Sequence, residues 1–178
     1  MKRLPIFSAA FALLLGLSAL ILVAPVALQA DEPVNFSKLI PFLPKAPEGW
    51  TSETPDGSTT ESGQFKLTTV GCNYSKGEGD AAATAAVNII DSSNNQQFMD
   101  STTAGWSFSQ ETPDGYTKSL KIDEFPGFET YDKGSKTGSI WVIVAKRFLI
   151  HIDLTNQEPA ELQKWLRGMD LKKLAALK

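Results

Sequence analysis

A single histidine, His151, is the only side chain in the sequence suited to general base work near neutral pH. Asp153 follows two residues later, and that spacing places both on one face of an extended strand. A Ser-His-Asp relay could draw on many serines, but the G-x-S-x-G turn that exposes a nucleophile is absent. A lone histidine on an apolar strand also reads as a core residue with its polar atoms satisfied. Cys72 is the only cysteine, which excludes an internal disulfide and any multi-cysteine zinc or iron–sulfur site. Val70 and Tyr74 share its strand phase, so it reads as a small buried apolar side chain. A reactive thiol would need a base or cation beside it, and the local sequence offers none. Glu78 and Asp80 stand in a glycine-containing turn that could hold Ca²⁺ loosely, yet the spaced ligands of a calcium loop are missing. Gly77-Glu78-Gly79 lacks the third glycine and the following helix of a dinucleotide site. The expectation is a protein that is not an enzyme, with no catalytic, cofactor-binding or metal-binding residues.

The charge balance narrows the partners. The chain has 178 residues, with 17 Lys or Arg against 20 Asp or Glu. Lys2 and Arg3 are the only charges among the first thirty residues, so the remainder holds 15 basic and 20 acidic residues, a net charge of −5. An acidic chain without a basic block is poorly suited to neutralising phosphates, so no nucleic-acid partner is expected. Leu4–Ala30 is uncharged, most apolar over Phe11–Ala24, and closes with Leu28-Gln29-Ala30 before Asp31-Glu32. Residues 1–30 therefore read as a signal peptide cleaved after Ala30 or as an uncleaved N-terminal membrane anchor, a tether through residues 4–30. No cysteine near its end allows a lipoprotein anchor. Either outcome exports residues 31–178, to the periplasm, to the extracellular space or to the outer side of the cytoplasmic membrane.

Residues 31–48 form a linker with a short apolar segment, and residues 49–178 form a single α+β domain. In the linker, Phe36, Leu39, Ile40, Phe42 and Leu43 crowd around Pro41, ahead of Pro44. They read either as a helical turn packed back onto the domain or as a docking strip near the membrane. Phe65 and Leu67 occupy one strand phase and Val70, Cys72 and Tyr74 the other, which predicts a bulge near Thr68-Thr69. Val87, Ile89 and Ile90 favour a strand over a helix for 81–91. Residues 94–106 suit an amphipathic helix, and 115–122 and 125–131 two strands. The clearest element is a hairpin over Ser139–Leu154. With Lys146-Arg147 as a two-residue turn, Trp141 opposes Ile152 and Val142 opposes His151. Both of its faces are substantially apolar, which places it at the centre of a sheet and covered on each side. Pro159 suits a first helical position, Leu162, Trp165, Leu166 and Met169 form one helical stripe, and Asp170 caps a second helix. The fold class expected is α+β, an antiparallel sheet of about six strands with helices packed on both faces. Glu53–Gly57 recurs as Glu111–Gly115, either a duplicated binding loop or twice the same turn chemistry, since Pro-Asp-Gly favours turns on its own.

The order of these elements, with Gly49-Trp50, Gly115-Tyr116, Phe125-Pro126, Lys146-Arg147-Phe148 and Asp170-Leu171-Lys172-Lys173-Leu174, resembles the Mog1/PsbP-like fold over residues 48–178. It is most similar to small exported prokaryotic members of the DcrB type. The resemblance implies a non-enzymatic accessory protein, since members of that fold serve as binding and assembly factors, and it transfers no functional residue. The function expected is an exported interaction or assembly module of the cell envelope with an envelope protein as partner. The alternative is a small-ligand or lipid-binding protein with a pocket between sheet and helix.

Overall fold

Nine strands pair into one antiparallel sheet in the computed structural model, which describes residues 32–63, 65–93 and 95–178. They are β1 (Thr51–Ser52), β2 (Asp56–Ser62), β3 (Phe65–Lys76), β4 (Ala83–Asp91), β5 (Gln110–Thr112), β6 (Gly115–Ile122), β7 (Phe125–Asp132), β8 (Thr137–Val144) and β9 (Phe148–Thr155). The spatial order is β1-β3-β4-β9-β8-β7-β6-β5, with β2 beside β1 on the same outer edge of β3. The signal or anchor expected in residues 1–30 lies outside the described residues, and no described helix is long and apolar enough to cross a membrane.

The expectation of about six strands with helices on both faces is overturned. The six expected strands are joined by β1, β2 and β5, all at the sheet's edges and made of polar residues. Asp-Gly-Ser-Thr-Thr-Glu-Ser in β2 buries almost no side chain, so no period-two hydrophobic pattern marks it. The helices are few and short: α1 (Phe36–Leu39), α2 (Gln96–Thr103), α3 (Ala160–Arg167) and α4 (Leu171–Ala175). One sheet face carries Val70, Cys72, Tyr74, Val87, Ile89, Ile140, Val142, Ile150 and Ile152, all buried beneath α1, α3 and α4. Leu39 and Leu162 from those helices are completely buried there, and Leu166 and Leu174 almost so. Burying a side chain of that size contributes roughly 1.5–3 kcal/mol. The opposite face receives α2, whose Met99 packs on Ile143 and Leu149, and Trp106 from the segment that follows it. No other described helix covers that face, and its Phe128, Thr130, Ser139, Trp141, His151 and Asp153 are half-buried.

Asparagine and aspartate side chains set the starts of α1, α2 and α4, whereas α3 begins after Pro159 without a side-chain cap. Asn35 accepts from the Ser37 amide, Asn95 from the Phe98 amide and Asp170 from the Lys173 amide. Phe36–Leu43 packs back onto the domain, with the Phe36 ring seated on Gly57, where a Cβ would come within 2.9 Å of it.

Two register expectations fail, each for a physical reason. β3 pairs without interruption with β2 over Phe65–Gly71 and with β4 over Thr68–Lys76, so no bulge occurs at Thr68-Thr69. The apparent change of phase arises because Phe65 simply faces solvent, at 52% exposure, while Thr68 continues the buried phase of Val70. The β8–β9 turn holds three residues, Ala145-Lys146-Arg147, rather than two. Ala145 and Lys146 both adopt φ of 54°, and Val144 pairs with Phe148. The hairpin is central, as its composition requires, but the extra turn residue shifts one strand against the other by one position.

Arg147 in that turn closes a buried clamp. Its guanidinium donates from Nε and Nη2 to Asp91, each at 2.9 Å. Asp91, with no exposure, also accepts from the amides of Val34 at 2.8 Å and Ser93 at 3.1 Å. The remaining guanidinium donors reach the carbonyls of Glu32 and Leu177.

Candidate functional site

The one-residue shift in the hairpin decides which side chains meet on the open face. Trp141 pairs with His151, and Ser139 pairs with Asp153. His151 Nε2 lies 3.1 Å from Asp153 Oδ1, and Ser139 Oγ donates to the same oxygen. Burial works against ionising Asp153, but its interactions with His151 and Ser139 outweigh it and hold its carboxyl below the ordinary carboxylate value. The His151 and Asp153 side chains remain 27% and 46% exposed. A nucleophilic relay needs the imidazole between hydroxyl and carboxylate. Here the carboxylate stands in the middle, with Ser139 donating to it and His151 Nε2 at ion-pair distance but without a well-aligned hydrogen bond, so the trio lacks the arrangement of an activated serine.

An aromatic row runs across the strands beside it. The His151 ring stacks on Trp141 at 4.8 Å and 9°, Trp141 lies 6.1 Å from Phe128, and Phe128 stacks on Trp106 at 6.1 Å. The His151–Trp141 and Phe128–Trp106 pairs are stacked face to face, whereas Phe128 and Trp141 are tilted by 46°. One step along the strands comes the row Asn73, Ala86, Asp153, Ser139, Thr130, Thr117 and Gln110, paired strand by strand. The next row holds Thr84, Thr155, Thr137, Asp132 and Thr112. Over β5–β9 these rows floor a polar trough of about 470 Å³. A smaller hollow of about 280 Å³ lies on the other side of Asp153, walled by Glu53, Asn73 and Thr84. Asp132 at the trough margin is held below the usual carboxylate range by the Ser135 amide and hydroxyl, both donating to it at 2.7 Å.

His151 and Asp153, weighed from sequence, are thus brought together, whereas Cys72 is buried on the opposite, helix-covered face. Glu78 and Asp80 are exposed in the β3–β4 connection, and among the described residues no three His, Cys, Asp or Glu side chains converge as a metal site. The two Pro-Asp-Gly segments differ in role: Pro55-Asp56-Gly57 leads from β1 into β2 along one edge, and Pro113-Asp114-Gly115 turns β5 into β6. Sequence reasoning missed Glu129. Its side chain is 1% exposed beneath α3, where Tyr116 donates its hydroxyl proton to it, Lys118 Nζ lies 3.1 Å away and Gln163 Nε2 3.5 Å away. Its alternation with Phe128 and Thr130 was the only available signal. With three partners this carboxylate is satisfied, and burial followed by the Glu129 hydrogen bond pushes the Tyr116 phenol well above its ordinary value.

Fold and face together define a protein built on one antiparallel sheet, backed by helices on one side and presenting a polar, largely uncovered surface on the other. No protein-family model, curated protein or solved structure matches the chain. The likeness to the Mog1/PsbP-like fold therefore rests on its short sequence markers alone.

Proposed function

We propose that the chain is an exported, non-enzymatic binding module of the cell envelope that holds an envelope protein on the open half of its sheet. The observation that carries this reading is the uncovered face itself. Central strands whose other side is sealed by three helices leave Asp153, Ser139, Thr130 and Thr117 to solvent in one continuous polar row. Sheets normally solvate one face with scattered charges. Here hydroxyls, the Gln110 amide and three acids, Asp114, Asp132 and Asp153, are gathered into a trough, which suits hydrogen bonding to a partner's main chain and polar side chains.

The test is site-specific photo-crosslinking in intact cells, with the reactive residue at Thr117 or Thr130 and, as the control, at Lys164 on the exposed side of α3. Adducts of one defined mass from the trough positions alone are expected. Equal adducts from Lys164, or none from either trough position, would sink the reading. The ligand-binding alternative finds its best support in the same trough, whose volume of about 470 Å³ suits a small polar molecule. Between sheet and helices, by contrast, Leu39, Leu162, Ile140, Ile150 and Ile152 are packed with no exposure. Native mass spectrometry of protein purified from its host separates the two readings by the presence or absence of a bound small mass.

A further inference from the structure

The helical side of the molecule has an electrostatic character that the overall charge hides. Lys66, Lys118, Lys136 and Lys164 each have a carboxylate within 4 Å. Lys38, Lys45, Arg167, Lys172 and Lys173 are exposed, and none forms an ion pair with a described residue. These five, half of the ten exposed basic residues outside ion pairs among the described residues, gather around α1, the turn that follows it, the end of α3, and α4. Between them runs a groove of about 650 Å³ whose floor is Phe42, Leu43 and Leu177, with Lys38, Lys45 and Lys173 at its rim. A second hollow of about 460 Å³ adjoins it through Gly168 and Asp170 and brings in Arg167 and Lys172. Two carboxylates line the grooves, Asp170 in both and Asp123 in the second, and Asp170 is engaged in capping α4.

We propose that this basic, apolar-floored face docks on an anionic phospholipid surface. Cations around half-buried apolar side chains match the headgroup boundary, where phosphates lie above hydrocarbon. A long flexible polyanion would run onto the acidic remainder of the chain and be repelled, whereas a planar anionic surface meets the basic face alone. The uncharged run ending at Ala30 stops eight residues before Lys38, so a retained anchor would hold this same face against the bilayer. The docking surface lies on the opposite side of the sheet from the polar trough, and the proposal does not depend on what the trough binds.

The test uses the full chain with an environment-sensitive fluorophore at Pro41→Cys, in neutral phosphatidylcholine vesicles and in vesicles with one quarter phosphatidylglycerol. Any contribution of residues 1–30 is common to wild type and variants, so the comparison isolates the groove. A blue shift of the probe in the anionic vesicles only is expected, with at least a tenfold loss of the anionic preference in Lys38→Glu/Lys45→Glu/Lys173→Glu. Reversal at Lys76, Lys121 and Lys133 should leave the preference within twofold. Half-molar salt applied to the probe-labelled, otherwise wild-type chain should abolish the preference even if the triple variant fails to fold. A probe that stays aqueous on anionic vesicles, or a triple variant that binds like the wild type, overturns the proposal. So does an equal blue shift with soluble polyglutamate, which would assign the groove to an acidic polypeptide.

Discussion

Replacing Asp91 by alanine should be among the most costly single changes in β4, although it removes only one small side chain. The carboxylate has no exposure and accepts four hydrogen bonds, from Val34, Ser93 and two nitrogens of Arg147. The Arg147 side chain is itself only 11% exposed, so water cannot replace the lost partner fully. Removing one member of such a buried pair costs about 3–5 kcal/mol, because the other charge is left uncompensated. Against a typical domain stability of about 5–15 kcal/mol, that is a large fraction. Urea unfolding followed by tryptophan fluorescence provides the measure. With a denaturant slope of about 2 kcal/mol per molar, the midpoint should fall by about 2 M. Arg147→Ala should cost a similar amount. The double variant should be less destabilised than the sum of the two by at least about 1.5 kcal/mol, since neither charge is then stranded. A loss below about 1 kcal/mol for Asp91→Ala, or strict additivity in the cycle, would refute the clamp as an energetic unit.

Three further outcomes follow from the geometry. All three tyrosines are shifted above their ordinary value of 10.0, chiefly by burial. A raised value in the folded state stabilises below pH 10 and is lost as pH rises beyond it, so absorbance at 295 nm should show no phenolate step at pH 10 while circular dichroism is native. One third of the amplitude titrating there would contradict the burial argument. For Asp153, whose folded value lies below 3.8, the stabilisation is present above about pH 4 and is lost as pH falls through the lowered value. Wild type and Asp153→Asn should differ by under about 1 kcal/mol at pH 7, the pair being half-exposed, and converge near pH 2; a gap independent of pH would be inconsistent with the linkage. Gly138→Ala would place a Cβ 2.9 Å from the Tyr131 ring and 3.0 Å from Leu162, costing about 1–3 kcal/mol by overpacking. Gly105→Ala, with no neighbour within 4 Å, should be neutral in the same thermal melt.

The sequence made legible those elements whose stability comes from burying alternate or helically spaced side chains. The hairpin, the strand pair over 115–131, the strand over 81–91 and the amphipathic α3 all announce themselves through apolar spacing. β1, β2 and β5 do not, because they are held by main-chain pairing at the edges and bury little of their own. The site failed to emerge for a different reason. His151 and Asp153 share a face by simple alternation, which sequence shows. Their cross-strand partners depend on the length of one turn, and Ala145 and Lys146 are not residues that advertise a positive φ. A single extra turn position moved Ser139 and Trp141 into place and turned a seemingly covered strand face into an open one. Glu129 was hidden by its own charge: it shares the buried phase of Phe125 and Tyr131 in β7, but an acid at such a position reads as a solvent-facing one.

The Arg147 clamp has a mechanical meaning. Near residue 32 the chain is fixed at three points: Glu32 pairs with Lys66 of β3, its carbonyl accepts a hydrogen bond from Arg147 in the β8–β9 turn, and the next anchor, Val34, donates its amide to Asp91 of β4. Tension entering there is divided among two strands and a hairpin turn that already belong to one sheet. The attachments are loaded side by side rather than opened in turn like a zipper, so a sustained pull meets the sheet as a whole before it can lift α1 away.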